Sequence, residues 1–458
     1  MFVCSRKDEN NANKEKKIMQ RFLIMVCAIF CTQSWAAGVA DMQTRSKLVD
    51  EILTERFEQV LPELMRRTDI DMWVVMSREY NEDPVLKTML PSTWLSARRH
   101  TMLVIYDPGQ DKALEKLAVA RYAVANLFDK AWNKEEQPDQ WAALAKIIKN
   151  RNPDKIGINV SEAFALADGM SSTEKTAFME ALPAKYRSRV VSAEELAIGW
   201  LETRSELEMQ HYPEIARMGH NLIATAFSNE VITPGKTTTD DVVWWLRDQS
   251  TKLGVSNWFH PSVSIQRADN EEFDQLKAFS KKPGENIIQP GDLIHVDFGI
   301  TYLRLNTDQQ QHAYVLKPGE KNAPAGLVNA LANANRLQDI LISNFKTGRS
   351  GNEILRLSRQ QAIEEDIKPS IYTHPLGFHG HAAGPTIGMW DAQEGLPVKG
   401  DYPLYPDTAY SIELNAASFV PEWDKEIRIM LEEDAFFDGQ KVEYLDGRQK
   451  RFHLISSD

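Results

Sequence analysis

The sequence predicts an α/β region followed by an α+β region that repeats its own layout, and three observations carry that prediction. Short β-rich runs alternate with helical stretches up to about residue 200. A helix, turn, helix, strand order then occurs twice. Acidic residues stand in pairs inside the strand-like runs of this second part. The chain has 458 residues, 43% hydrophobic and 26% charged, an ordinary globular composition and enough for two regions with cores of their own.

Residues 1–40 stand apart. Arg6, Lys7, Lys14, Lys16, Lys17 and Arg21 precede the apolar run 22–30, and small residues Ala36, Ala37 and Ala40 follow. That order reads as a secretory signal peptide with an upstream extension, since Met19 alone opens a compact signal sequence. The apolar run is far shorter than the roughly 20 residues a membrane-spanning helix needs. The expectation is therefore a periplasmic or secreted protein without a membrane anchor. Cys4, Cys27 and Cys31 all lie in this segment, and bulky Val26 and Phe30 before the latter two argue against lipidation. The segment carries more basic than acidic groups, so its removal makes the remainder more negative than the −12 of the whole chain. Nucleic acid and anionic lipid are poor partners for such a surface.

In the first region, 41–195, Leu48, Ile52, Phe57, Leu61 and Leu64 recur at helical spacing, and β-rich runs follow at 72–76, 102–106 and 156–160. No His/Asp/Glu group converges there. In the second, 196–458, Ser205 with Glu208 has capping-box spacing and opens a helix, Pro234-Gly235 makes a turn, and Thr238 with Asp241 opens a helix running to Gly254. Strand-like segments with Asp297 and Asp308 come next. The order then returns: a helix over 327–345, a turn at Gly348, Ser350 with Glu353 as the next cap, and strand-like segments carrying His381, Glu413 and Glu432. The repetition predicts internal pseudo-symmetry about a shared site.

Asp297 and Asp308 are placed directly opposite each other if their segment folds back between Tyr302 and Leu303. Glu413 and Glu432 are placed likewise by a loop centred between Glu422 and Trp423. Opposed like charges in a ladder repel, and acids are scarce on a buried strand face, so a cation between them is expected. Any one of these acids by itself would read as a solvent-facing hairpin residue. Four carboxylates with an imidazole suit a pair of divalent ions that share bridging carboxylates, activate a water and polarise a carbonyl. The imidazole comes from His374, His379 and His381, three histidines within eight residues interleaved with glycines. His295, two residues before Asp297, faces the same side of its strand and reads equally as a supporting contact or a structural residue.

These residues resemble the pita-bread metallopeptidases, the family of methionine aminopeptidases, Xaa-Pro aminopeptidases and prolidases. The resemblance covers roughly 195–440, and GDLIHVDFG around Asp297 is its most specific part. It implies Asp297, Asp308, His381, Glu413 and Glu432 as ligands of two divalent ions, manganese, zinc or cobalt. His381 is preferred because Gly384 follows at the family's interval, with His379 as the alternative, and Glu432 is preferred to Glu433. Glu413 maps onto the water-activating glutamate, and His374 onto the histidine that contacts substrate or leaving group; His374, together with His379, is expected to do the proton-transfer work. The first region looks like the N-terminal domain of the creatinase and prolidase branch, which points to proline-specific peptide substrates. By the same resemblance a homodimer is implied.

Two departures stand out. The family's histidine before the first ligand falls here on 278–281, which reads Ala-Phe-Ser-Lys, and its later His-Asp pair is Trp390-Asp391. Besides Xaa-Pro hydrolysis, two readings remain open at this point: a lyase or amidohydrolase on the same metals, and a secreted peptide-binding protein without turnover.

Overall fold

A computed structural model describes residues 39–109, 112–269 and 286–457. The expected signal peptide and the stretch 278–281 lie outside these residues.

The apolar spacing after residue 47 forms a helix, Met42–Glu55, which runs through a π-turn at Arg56–Val60 into Leu61–Arg67. Six strands form the first sheet: β1 (Met72–Arg78), β2 (His100–Tyr106), β3 (Glu115–Val119), β4 (Asp129–Lys130), β5 (Ile156–Ile158) and β6 (Val190–Ser192), in the order β4-β3-β2-β1-β5-β6. Strand β1 lies antiparallel to β2 and parallel to β5. Its side chains alternate between two cores. Trp73 and Val75 pack with the helix Glu194–Glu202, while Met72, Val74 and Met76 pack with helices Gln140–Arg151 and Ser172–Ala181. Helices on both faces explain why the strand is apolar from Met72 to Met76 rather than alternating in polarity.

Both expected capping boxes are present. Ser205 and Glu208 open the helix Glu206–Ala226, and Thr238 and Asp241 open Thr239–Leu253, which ends at Gly254 in a left-handed conformation. Glu208 also pairs with Arg56 (2.6 Å) and Arg204 (3.1 Å) in a fully buried cluster. The cap of the helix Glu206–Ala226 is thus tied to the π-turn of the N-terminal region. Contacts join residues 41–458 into one unit, and the first core includes Leu196, Trp200 and Leu201 of the helix Glu194–Glu202.

The repeat appears as two helix pairs, each followed by three antiparallel strands. In the first half these are β7 (Ser262–Gln266), β8 (Leu293–Phe298) and, after the short β9 (Thr301–Tyr302) and β10 (Leu305–Asn306), β11 (Gln309–Val315). In the second half helices Ala325–Ser343 and Gly351–Glu364 precede β12 (Lys368–Ile371). Next come β13 (His374–Leu376) and β14 (Thr408–Ser411), then β15 (Leu414–Val420) and β16 (Lys425–Leu431). Strands β12, β15 and β16 form the second triple. Strand β17 (Asp434–Phe437) joins β13 and β14 in another sheet. No helix among the described residues is long and apolar enough to cross a membrane.

Candidate metal centre

The four acids converge, by two different registers. Leu303 and Arg304 both have positive φ, 50° and 66°, and form a two-residue turn that pairs Tyr302 with Leu305. This turn lies one residue later than the sequence spacing indicates, and the register it sets places Asp297 opposite Gln310 rather than Asp308. The correction leaves chemistry intact, because a pairing shift of two residues keeps both aspartates on one face. In the second hairpin Leu414 pairs with Leu431, so the next step of the register sets Glu413 opposite Glu432 as expected.

Ligand atoms of Asp297, Asp308 and Glu432 lie within 4.8 Å of one another, as do those of His374, Glu413 and Glu432. His374 is 2% exposed, and its Nε2 stands 3.6 Å from Asp308, 3.5 Å from Glu432 and 3.9 Å from Glu413. Its Nδ1 is 3.0 Å from the Pro375 carbonyl. A carbonyl only accepts, so Nδ1 carries a proton and Nε2 is the ring nitrogen turned toward the acids.

This centre suits divalent metal. Asp297 Oδ1 and His374 Nε2 are buried without a hydrogen-bond partner. Among the described residues, the ion pairs of Asp308, Glu413 and Glu432 run only to His374. Burial, and then the neighbouring acids, push the carboxyls of Asp297, Asp308 and Glu413 well above their ordinary range. Burial opposes ionisation of Glu432 too, but His374, Ser411 and Gln310 outweigh it and hold that carboxyl below its usual value. Bound cations would relieve the repulsion and take up the free lone pairs.

The other two histidines take different places. His381 is exposed and lines the cavity beside the acids, its ring edge-on to His374 at 4.8 Å and to Trp258 at 5.2 Å. It also comes within ligand reach of Asp308 and His374. The structure does not bring His379 among the residues lining the cavity; its nearest charges are those of Lys87 and Arg204. His295 is buried, and that burial lowers its pKa to about 4.

The cavity has a volume of about 330 Å³. Besides the acids, Trp258, Phe259, Tyr372, Met389 and Trp390 line it and make much of its wall apolar. Trp258 donates to the Thr307 carbonyl (2.8 Å) and lies against Gly299 and Gly380, where an added Cβ would meet its ring at 2.3 Å. Both positions require glycine because the indole approaches the backbone this closely.

Sequence reasoning missed Trp258, Ser411 and Gln310. The signal for Gln310 was present in Asp308-Gln309-Gln310-Gln311-His312, a polar run that occupies a fully buried strand. Polar side chains there must find partners. Gln309 donates to Asp434, Gln310 to Glu432 and Gln311 to Glu433, so three consecutive amides serve three consecutive acids.

A profile of Metallopeptidase family M24 matches residues 209–436. Among solved structures, the chain is similar to the X-Pro aminopeptidase from Thermotoga maritima MSB8, with a TM-score of 0.59 at 14% identity over 86% of this chain and 99% of that one. It is similar to dipeptidase PepE from Mycobacterium ulcerans, with a TM-score of 0.58 at 14% identity over 92% and 100% of the two chains. It is also similar to the Xaa-Pro dipeptidase from Bacillus anthracis, with a TM-score of 0.55 at 16% identity over 91% and 100%. At such identities the likeness is one of fold. A comparison with curated proteins gave no match. The convergent acids belong to a metal-dependent peptidase centre in a pita-bread fold, and residues 209–436 belong to metallopeptidase family M24.

Proposed function

We propose that this protein hydrolyses the Xaa-Pro bond at peptide N-termini or in dipeptides, using two divalent ions held by Asp297, Asp308, His374, Glu413 and Glu432. The observation that carries this reading is the convergence of Asp308, Glu413 and Glu432 on the buried, unpartnered Nε2 of His374, with Asp297 beside Asp308 and Glu432. Ions bound there supply Lewis-acid polarisation of the scissile carbonyl and a water of lowered pKa. In this reading His374 and His381 exchange the roles that the family resemblance implies for them.

Glu413 is the proton acceptor for the attacking water. Its side chain is 16% exposed, against 5% for Asp308 and 2% for Glu432, so it is the most open of these three cavity-lining acids. His381 lines the same cavity and hydrogen-bonds the substrate carbonyl or the leaving nitrogen. The aromatic wall suits an apolar imino ring next to the scissile bond. Export and dimerisation belong to the same proposal. Support for the first is the basic, apolar and small-residue order of residues 1–40, and for the second the family resemblance.

The test is metal content by elemental analysis together with turnover of Xaa-Pro dipeptides and longer peptides, with manganese, cobalt or zinc added. Two ions per chain and cleavage before proline are expected. Metal uptake with no peptide turned over would sink the Xaa-Pro reading.

A further inference from the structure

Gln310 is 4% exposed and uses both amide donors and its carbonyl oxygen inside the metal centre. Its Nε2 donates to Glu413 Oε1 (3.0 Å) and to Glu432 Oε2 (2.6 Å). Its Oε1 lies 2.8 Å from His295 Nε2. The amide has one orientation, because a flip would turn its carbonyl toward two carboxylates. His295 must then donate through Nε2, which leaves Nδ1 as the acceptor facing Ser264 Oγ at 3.4 Å. Strands β7, β8 and β11 set this order across the sheet, with Ser264 paired to His295 and Asp297 paired to Gln310. The backbone repeats the link, since Gln310 and Glu432 exchange both amide bonds, at 3.0 and 3.2 Å.

A lysine or arginine here would also order the two glutamates, but it would neutralise them and weaken their demand for metal. A neutral double donor orders them and leaves their charge for the ions. We propose that Gln310, oriented by His295, is a positioning residue that sets which oxygens Glu413 and Glu432 offer to the metal pair, and so controls metal affinity and coordination. This inference rests on the metal reading above. It adds a residue from the first half of the pseudo-repeat that holds both acids of the second.

The experiment is cobalt(II) titration of the full chain, read by the visible d–d spectrum, for wild type, Gln310→Met, His295→Phe and the double variant. Loss of a supporting group of this kind costs about 10–100-fold in metal affinity. Gln310→Met should fall in that range and shift the cobalt spectrum, while circular dichroism of the metal-free protein stays as in wild type. His295 acts through Gln310, so the double variant should lose no more than Gln310→Met alone. Wild-type affinity and spectrum in Gln310→Met would overturn the proposal, as would a double variant whose loss is the sum of the two single ones. If Gln310→Met does not fold, Gln310→Asn takes its place, because its shorter amide cannot reach both acids and the same loss is expected. Wild type that binds no cobalt would overturn the metal reading itself, an outcome distinct from a Gln310 variant that binds normally.

Discussion

The hairpin that carries Asp297 and Asp308 turns at Leu303 and Arg304, where Leu303 is buried and Arg304 donates to the Leu90 carbonyl (2.6 Å) in the N-terminal region. The hairpin that carries Glu413 and Glu432 turns at Pro421–Trp423 and Asp424 and closes on its own half, with Glu422 accepting from the Gly326 amide at the start of the helix Ala325–Ser343. One turn is thus built into contact with another region, and the other serves the repeat to which it belongs. Their registers differ as well: the glutamates are set opposite each other and the aspartates diagonally. Both arrangements deliver two carboxylates to one face, which shows that a paired-acid site needs the parity of the register and tolerates a shift of two.

The largest expected effect comes from removing one acid from each hairpin. Asp308→Ala and Glu432→Ala should each cut metal affinity by more than the roughly 100-fold that loss of a supporting group costs. Elemental analysis after dialysis reads this, and a variant that keeps its full complement would show that its hairpin lies outside the centre.

The histidines sharpen the same comparison. His374→Ala should behave like the acid variants and lose metal, since Nε2 lies among both hairpins' carboxylates. His381→Ala should retain metal and lose turnover by about 10²–10⁴-fold, the usual contribution of a proton-transfer group. The reverse pattern, with metal lost first in His381→Ala, would restore the ligand set that the family resemblance implies.

The smallest effect concerns the turns. Arg304→Ala removes a charged hydrogen bond to Leu90 and should cost about 1.5–3 kcal/mol in urea unfolding. Asp424, exposed at φ 50°, should tolerate Asp424→Gly within about 0.5 kcal/mol. Equal losses from both would mean that the first turn's contact with the N-terminal region contributes nothing to stability.

Much of this was legible in the sequence because it is local. Ser205-Glu208 and Thr238-Asp241 form their caps within one helical turn, and the apolar spacing from Leu48 to Leu64 needs only its own period. The second hairpin was legible as well, through the even spacing of Glu413 and Glu432 about their loop. The first was misplaced because Leu303 and Arg304 lack the Asn-Gly chemistry that marks a turn with two positive φ angles. That backbone is held by burial and by Leu90, more than two hundred residues away in the chain.

The histidine run shows where sequence stops. His374, His379 and His381 share one glycine-rich segment, and nothing local tells them apart. The pairing of His374 with Ser411 draws the first into the acids, the second lies near Lys87 and Arg204, and the third is left at the cavity wall. By itself, then, the sequence determined the alternation of elements, the pseudo-repeat and the four acids, because periodicity, capping and strand parity act between near neighbours. Which imidazole meets the carboxylates, and that Gln310 bridges two of them, was decided only by tertiary structure, because those distances depend on how strands far apart in the chain are laid side by side.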